Sequence, residues 1–302
     1  MQVVLMAVRQ LLKKMWYSFF RDQPLTYAGR VLVHVVPADY IESCRENLIS
    51  KHGPKGLLAS IIKSEINRQY YALSDEEKMQ WNRERLWGGA AGKKWHDFQA
   101  EKVQGLAGDA LESFLTFRQT LVLQISDLLA GHQKYPTLCE IGTGNGLFLK
   151  YLSEQFPQIK RFIGLDLNEE QIRENKHVYK STRLEFVHGE ISDCLRSGMF
   201  DEGAIFVTCG TLEYFTQKEL QDLLALIRRK VNPTAVAICE PITFDLESEY
   251  VSKPRGNTAY SHNYPAIFRQ AEWHAFRQQR VQIDPSVKYW ENVIMVVTTE
   301  TI

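Results

Sequence analysis

Three glycines in five residues, at 142, 144 and 146, stand where a short apolar run gives way to an amphipathic one. Thr137–Glu140 reads as a strand and residues 146–156 as a helix, so Glu140-Ile-Gly-Thr-Gly-Asn-Gly146 is a strand-to-helix turn. Lacking Cβ atoms, Gly142 and Gly144 let the backbone turn tightly and approach a ligand. About 20 residues further on, Asp166 ends a second strand, where a carboxylate can accept both hydroxyls of a ribose; this pairing is the nucleoside-binding logic of doubly wound sheets. Two other glycine signatures fail. A dinucleotide fingerprint would need glycine where Leu147 stands, and a P-loop would need Gly-Lys-Ser/Thr after the turn.

The surrounding pattern supports a layered fold. Thr137–Glu140, Arg161–Leu167, Arg183–His188, Ala204–Thr208 and Ala235–Glu240 read as strands, separated by helical stretches at 146–156, 168–179 and 216–230. Such alternation predicts an α/β, Rossmann-like, doubly wound, mostly parallel sheet with helices on both faces. Asn168-Glu-Glu-Gln171 and Thr216-Gln-Lys-Glu219 are capping boxes that start two of the helices. Val281–Asp284 and Val293–Thr298 have no helix between them and should close a seven-stranded sheet as a C-terminal antiparallel hairpin.

Residues 1–110 read as a helical cap or lid region and 111–302 as the α/β domain. Ser74-Asp-Glu-Glu77 is a capping box for a helix that runs to about Trp87 and stops at Gly88-Gly89. A helix over 111–130, with Leu111, Phe114, Leu115, Leu121, Val122, Ile125, Leu128 and Leu129 on one face, leads into the first strand. Between them, Trp87-Gly-Gly-Ala-Ala-Gly-Lys-Lys-Trp95-His96 is either the hinge of a lid or a helix–helix connection with both tryptophans in the core.

With 302 residues, 44% of them hydrophobic, the chain can bury a large core. Lys+Arg and Asp+Glu balance at 36 each, so no global basic field draws a nucleic-acid backbone. Cys44, Cys139, Cys194, Cys209 and Cys239 are odd in number and widely spaced. They argue against a disulfide framework or zinc knuckle and for a reducing cytoplasm. No Asp/Asn set for a magnesium ion assembles, so no metal is expected. Near the start, Val4, Val8, Leu11, Met15 and Phe19 recur at helical spacing, interrupted by Arg9, Lys13 and Lys14. An amphipathic helix packed on the protein is expected, and its basic and aromatic residues also permit peripheral membrane contact. No run there reaches the roughly 20 apolar residues of a bilayer span.

Glu140–Gly146 resembles motif I, E/D-x-G-x-G-x-G, of the class I S-adenosylmethionine (SAM)-dependent methyltransferases. Leu165-Asp166-Leu167-Asn168 is similar to their ribose-binding second motif, and Phe186–Asp193 to their third. In that third motif Glu190 stands for the usual Asp on the adenine amino group, and Ile191 supplies the next backbone N–H. Thr208–Phe215 looks like the segment after strand 4 that lies along the methionine part. The resemblance covers roughly residues 111–300. It implies SAM as cofactor and S-adenosyl-L-homocysteine as product. The binding residues it implies are Glu140, Gly142, Thr143, Gly144, Gly146, Asp166, Leu167, Glu190, Ile191 and Cys209. The sulfonium makes its methyl electrophilic, so the protein must bind, orient, exclude water and, for some acceptors, remove a proton.

The Asn/Asp-Pro-Pro-Tyr/Phe signature of amino methyltransferases on nucleobases is absent at Cys209–Glu213. The expectation is therefore methyl transfer to a small or medium-sized organic acceptor, at oxygen. The alternatives are a protein or peptide side-chain methyltransferase and a non-catalytic SAM-binding partner subunit. The aromatic and basic segment from Phe244 to Trp273 follows strand 5, where loops border the ligand crevice. Within it His262, whose ordinary pKa of about 6.5 leaves it able to take a proton near neutrality, is the expected general base, with Tyr264 beside it. His96 is the runner-up, should the glycine-rich segment fold over the site.

Overall fold

The computed structural model describes residues 24–46, 54–105, 109–131, 135–200, 203–243, 251–255, 259–282 and 290–299. The expected amphipathic helix near residues 4–19 lies outside them. The chain divides into two compact units, Met1–Lys78 and Met79–Ile302. The boundary expected between 110 and 111 falls inside the second.

The first unit is helical: α1 (Pro24–Val35), α2 (Ala38–Glu46) and α3 (Leu57–Ala72). Ile41, Cys44, Ala59, Ile62 and Ile66 form its core. A Cβ at Gly29 would sit 2.9 Å from that of Glu65, so the missing side chain is what lets α1 approach α3. The Ser74 capping box forms in both halves, with Glu77 N–H on Ser74 Oγ at 3.2 Å and Ser74 N–H on the Glu77 carboxylate at 2.7 Å. Helix α4 (Asp75–Asn82) continues as a π-helical turn, Arg83–Trp87, and stops at Gly88 as the sequence predicts.

In the second unit, α5 (Ala90–Gly105) and α6 (Asp109–Gly131) precede the sheet. The strands are β1 (Thr137–Ile141), β2 (Arg161–Asp166), β3 (Leu184–His188), β4 (Ala204–Cys209), β5 (Thr234–Thr243), β6 (Ser252–Arg255), β7 (Ala259–His262), β8 (His274–Val281) and β9 (Trp290–Thr298). The helices among them are α7 (Leu147–Gln155), α8 (Glu169–Val178), α9 (Ile191–Arg196), α10 (Gln217–Lys230) and α11 (Tyr264–Gln270). The main sheet has seven strands in the order β3-β2-β1-β4-β5-β9-β8. β1 to β5 pair in parallel, and β9 runs antiparallel to both β5 and β8. The fold class is the expected one.

Strand alternation divides the core into two layers. Cys139, Ile141 and Phe206 join the layer under α9, α10 and α11, while Leu138, Ile205 and Val207 join the layer under α6, α7 and α8. Leu121, Val122, Ile125, Leu128 and Leu129 of α6 are all buried, as their spacing predicts. No helix among the described residues is long and apolar enough to cross a membrane.

Three details differ from expectation. β8 runs from His274 to Val281, so the strand predicted to begin at Val281 caught only its last residue. β8 is an edge strand whose exposed Arg277, Gln278, Gln279 and Arg280 give no apolar alternation to read. A two-stranded sheet, β6–β7, occupies part of the segment after β5 read as loop. The box at Asn168 is only half made: its Oδ1 accepts from Gln171 N–H at 2.9 Å, but its own N–H goes to Asp166.

Candidate cofactor and active site

The crossing from β1 to α7 is built from left-handed glycines. Gly142, Gly144 and Gly146 have φ of +74°, +51° and +73°. Gly142 N–H and Thr143 N–H both bond Leu165 O of β2, at 2.8 and 2.9 Å, which locks the turn against the neighbouring strand. A Cβ at Gly142 would collide with the Thr211 side chain, and one at Gly144 would lie 3.0 Å from His96 Nδ1. Glycine is thus required at both positions by backbone angle and by close approach.

A cavity of about 510 Å³ opens at the carboxyl ends of the parallel strands. Of the residues expected to bind cofactor, Glu140, Gly142, Thr143, Gly144, Asp166, Leu167, Glu190, Ile191 and Cys209 all line it. Gly146 does not. A Cβ there would sit 2.8 Å from the rings of Phe186 and Tyr179, so it serves the packing of the α7 N-terminus and not a ligand.

Asp166 is spent differently from the expectation of a carboxylate free for ribose. Its Oδ2 accepts Gly144 N–H at 2.8 Å and its Oδ1 accepts Asn168 N–H at 2.9 Å. Each oxygen keeps one lone pair for a ligand. Glu140 is buried, takes a 2.7 Å bond from Thr143 Oγ1, and has its pKa pushed up to about 8, chiefly by burial. Cys209 is half-buried, and a hydrogen bond with Cys239, followed by desolvation, raises its thiol pKa well above the ordinary value. With its thiol held protonated, it is an unreactive wall residue.

The two residues expected to act on the acceptor are elsewhere. His262 is fully buried and does not line the cavity. Its Nε2 lies 3.1 Å from Phe215 O, which can only accept, so Nε2 carries the proton and Nδ1 accepts from Ser252 Oγ at 2.7 Å. Burial lowers its pKa to about 4. Tyr264 is also fully buried, packed edge-on to His262 at 5.5 Å, with no hydrogen-bond partner for its hydroxyl among the described residues. Neither has access to an acceptor in the cavity, and the general-base role of His262 is withdrawn. The reason lies in β7, all four residues of which are buried, so that neither face of the strand opens on the cavity.

The Trp87–His96 segment does fold over the site. Arg83, Trp87, Trp95 and His96 line the cavity, and Trp95 is 48% exposed at its rim, so the reading with both tryptophans in the core does not hold. Two contacts fix this lid. Asn168 Nδ2 donates to Trp87 O and Gly89 O, and Lys93 pairs with Glu174 of α8 at 2.8 Å. Arg83 leaves the π-helical turn to donate to Glu219 Oε1 at 2.6 Å and Tyr214 O at 2.9 Å, and its Nε lies 3.4 Å from Glu190 Oε1. Glu190, one carbon longer than the aspartate usual in the resemblance, reaches this guanidinium. Trp87 packs on Tyr214 with centroids 4.8 Å apart.

Arg118 of α6 and Glu213 also line the cavity; Glu213 pairs with Arg255 of β6. Sequence reasoning missed Arg83 and Arg118, because nothing local marks a helix arginine as facing a distant strand end; Glu213 and Tyr214 fall in the Thr208–Phe215 segment expected along the methionine part, without having been singled out. Among the described residues, no three His, Cys, Asp or Glu side chains gather as a metal site.

Comparison with known proteins identifies a domain within the chain. Residues 138–234 match the family model described as a methyltransferase domain. No curated protein matches the chain in sequence. Among solved structures, the chain is similar to magnesium protoporphyrin IX methyltransferase from Synechocystis PCC 6803 with bound SAM. That likeness has a TM-score of 0.48 and 11% identity, over 75% of this chain and 98% of that one. A second is 1,6-didemethyltoxoflavin-N1-methyltransferase from Burkholderia thailandensis, with bound 1,6-didemethyltoxoflavin and S-adenosylhomocysteine, at 0.42 and 18% identity over 70% and 89%. A third is a SAM-dependent methyltransferase from Aquifex aeolicus, at 0.40 and 19% identity over 60% and 92%. Residues 138–234 are thus a methyltransferase domain, and the glycine turn and the sheet order are those that the resemblance to class I SAM-dependent methyltransferases implies.

Proposed function

We propose that the protein methylates a small organic acceptor, bound between the Arg83–His96 lid and the segment that follows β4. The observation that carries this reading is the shared lining: Trp87 and His96 of the lid wall the same 510 Å³ cavity as the Gly142–Gly144 turn. A walled cavity of that size suits a compact organic ligand. A polypeptide acceptor would call for an open groove.

The residues fit SAM. Acids at Glu140, Asp166 and Glu190 face a cavity that must take a cation, and the glycine turn leaves backbone close to the ligand. Bound SAM supplies a methyl group made electrophilic by its sulfonium. The protein's own part is to hold and orient. Asp166 offers its remaining lone pairs to ribose, Glu190 and the Ile191 N–H face the adenine, and Arg118 offers a cation to the ligand's carboxylate. Trp87, Tyr214 and Trp95 exclude water from the acceptor side. Oxygen is the acceptor atom put first, because the Cys209–Glu213 segment lacks the prolines that serve amines of nucleobases.

The test is incubation with methyl-labelled SAM and three acceptor panels: hydroxylated small molecules, small amines and peptides. Label in a hydroxylated small molecule is expected. Label confined to peptides, or to amines, would overturn the acceptor class or the acceptor atom respectively.

A further inference from the structure

We infer that His96 is a ribose-binding residue, brought by the lid to the hydroxyl groups of the cofactor beside Asp166. This rests on the reading that SAM occupies the cavity.

The imidazole lines the cavity against the glycine turn, where its Nδ1 and Cε1 stand 3.0 and 3.1 Å from a Cβ built on Gly144. Among the described residues neither ring nitrogen has a hydrogen-bond partner. The ring is half-buried, so both nitrogens are left available to a ligand hydroxyl in the cavity.

The charged groups that act on it are Asp166, Lys93 and Asp97. Burial is the largest influence and disfavours the imidazolium, with Lys93 acting in the same direction. A neutral imidazole has one donor and one acceptor, which matches a hydroxyl. The partition of Asp166 completes the argument. Both its oxygens already hold a backbone N–H, so they can accept from ribose hydroxyls but give nothing back. The hydroxyl oxygens then still want a donor, and His96, set against the Gly144 turn, can supply one.

Position separates this role from general-base catalysis. His96 lies over Gly144 and Asp166, whereas the acceptor is expected along Cys209–Phe215. The anchors on Asn168 and Glu174 hold the lid to the β2–α8 connection, next to the ribose acid.

The experiment is calorimetry of S-adenosylhomocysteine and its 2′-deoxy and 3′-deoxy analogues, on wild type and His96→Ala. Apoprotein melting serves as a check on folding. His96→Ala should weaken S-adenosylhomocysteine about tenfold, as for one well-made hydrogen bond. Against the analogue lacking the contacted hydroxyl, the penalty should shrink to within about twofold. His96→Gln, which keeps a donor, should recover part of the loss. An equal penalty for all three ligands, or none, would overturn the inference while leaving the cofactor reading intact. So would a large loss of turnover with unchanged affinity. Failure of the wild type to bind S-adenosylhomocysteine would instead overturn the cofactor reading on which the inference stands.

Discussion

Asn168 Nδ2 donates to the carbonyl oxygen of Gly89 at 2.8 Å, and to that of Trp87 at 3.1 Å, across 79 and 81 residues of chain. The same side chain caps α8 through its Oδ1. One amide therefore both starts the helix after Asp166 and anchors the Trp87–Gly89 backbone of the lid. The two jobs use different atoms and can be separated by mutation.

Asn168→Asp keeps the cap, since Asp and Asn cap about equally well, but replaces two donors by a carboxylate facing two carbonyls. Its melting temperature should fall, because the buried carboxylate leaves both carbonyls without a donor, and S-adenosylhomocysteine affinity should fall about tenfold or more. Asn168→Ala should show the same binding defect together with a further loss of about 1 kcal/mol from the missing cap. Calorimetry and thermal melts of the two variants check this. An Asn168→Asp protein that binds like wild type would remove the lid from the cofactor site.

Asp166 holds the glycine turn even before a ligand arrives. Alanine there would leave the N–H groups of Gly144 and Asn168 without their partner in a buried setting, at about 1–3 kcal/mol each. Urea unfolding of the apoprotein should therefore show Asp166→Ala clearly destabilised. Asp166→Asn, which keeps one acceptor oxygen, should be less so. Equal apoprotein stability for wild type and Asp166→Ala would confine the residue to ligand contact.

The glycine turn and the β2 acid were legible because backbone geometry restricts those positions to very few residues. Gly142 and Gly144 sit at φ values that other residues adopt at a cost. The buried strands β1, β2, β4 and β5 were legible from apolar and β-branched runs, whereas exposed β8 carried no such signal. His262 was misplaced for a different reason. Composition marks an imidazole among tyrosines as suited to a pocket, but the β6–β7 pair is packed so that β7 is buried on both faces, which only tertiary packing decides. Arg83 and Arg118 were invisible for want of any sequence relation to the strand ends they face; only tertiary packing brings them there.

The buried His262 makes the fold acid-sensitive. The folded protein keeps this imidazole neutral down to about pH 4, while the unfolded chain takes up a proton near 6.5. The unfolded state therefore binds more protons between those values, and stability falls as pH drops through the window, by up to about 3 kcal/mol. His262→Gln can still donate to Phe215 O and accept from Ser252 but does not titrate. Denaturant unfolding at a series of pH values should show the wild-type loss flattened in the variant, with S-adenosylhomocysteine affinity retained. Parallel pH curves for the two proteins would show that His262 is not the group responsible.

Glu140 carries the last prediction. Burial, reinforced by the nearby Asp166 and opposed by Thr143 and Arg118, raises its carboxyl to about 8, so in the free protein near neutrality it is largely protonated. A ligand carrying an ammonium group, bound in the cavity that Glu140 lines, favours the carboxylate. Binding must then expel a proton below about pH 8, and affinity must rise with pH up to that value and level off above it. The free ligand's own α-amino group also bends the curve at its pKa, but that pKa is the same whichever protein variant it meets. The difference between wild type and Glu140→Gln therefore isolates the residue. In calorimetry with buffers of unlike ionisation enthalpy, wild type should release a fraction of a proton on binding S-adenosylhomocysteine at neutral pH. Glu140→Gln should release less, bind more weakly above about pH 8, and show a flatter rise below it. Identical proton release by both proteins would mean that Glu140 stays protonated in the complex, leaving it as a hydrogen-bond partner of Thr143 with no charge to offer the cofactor.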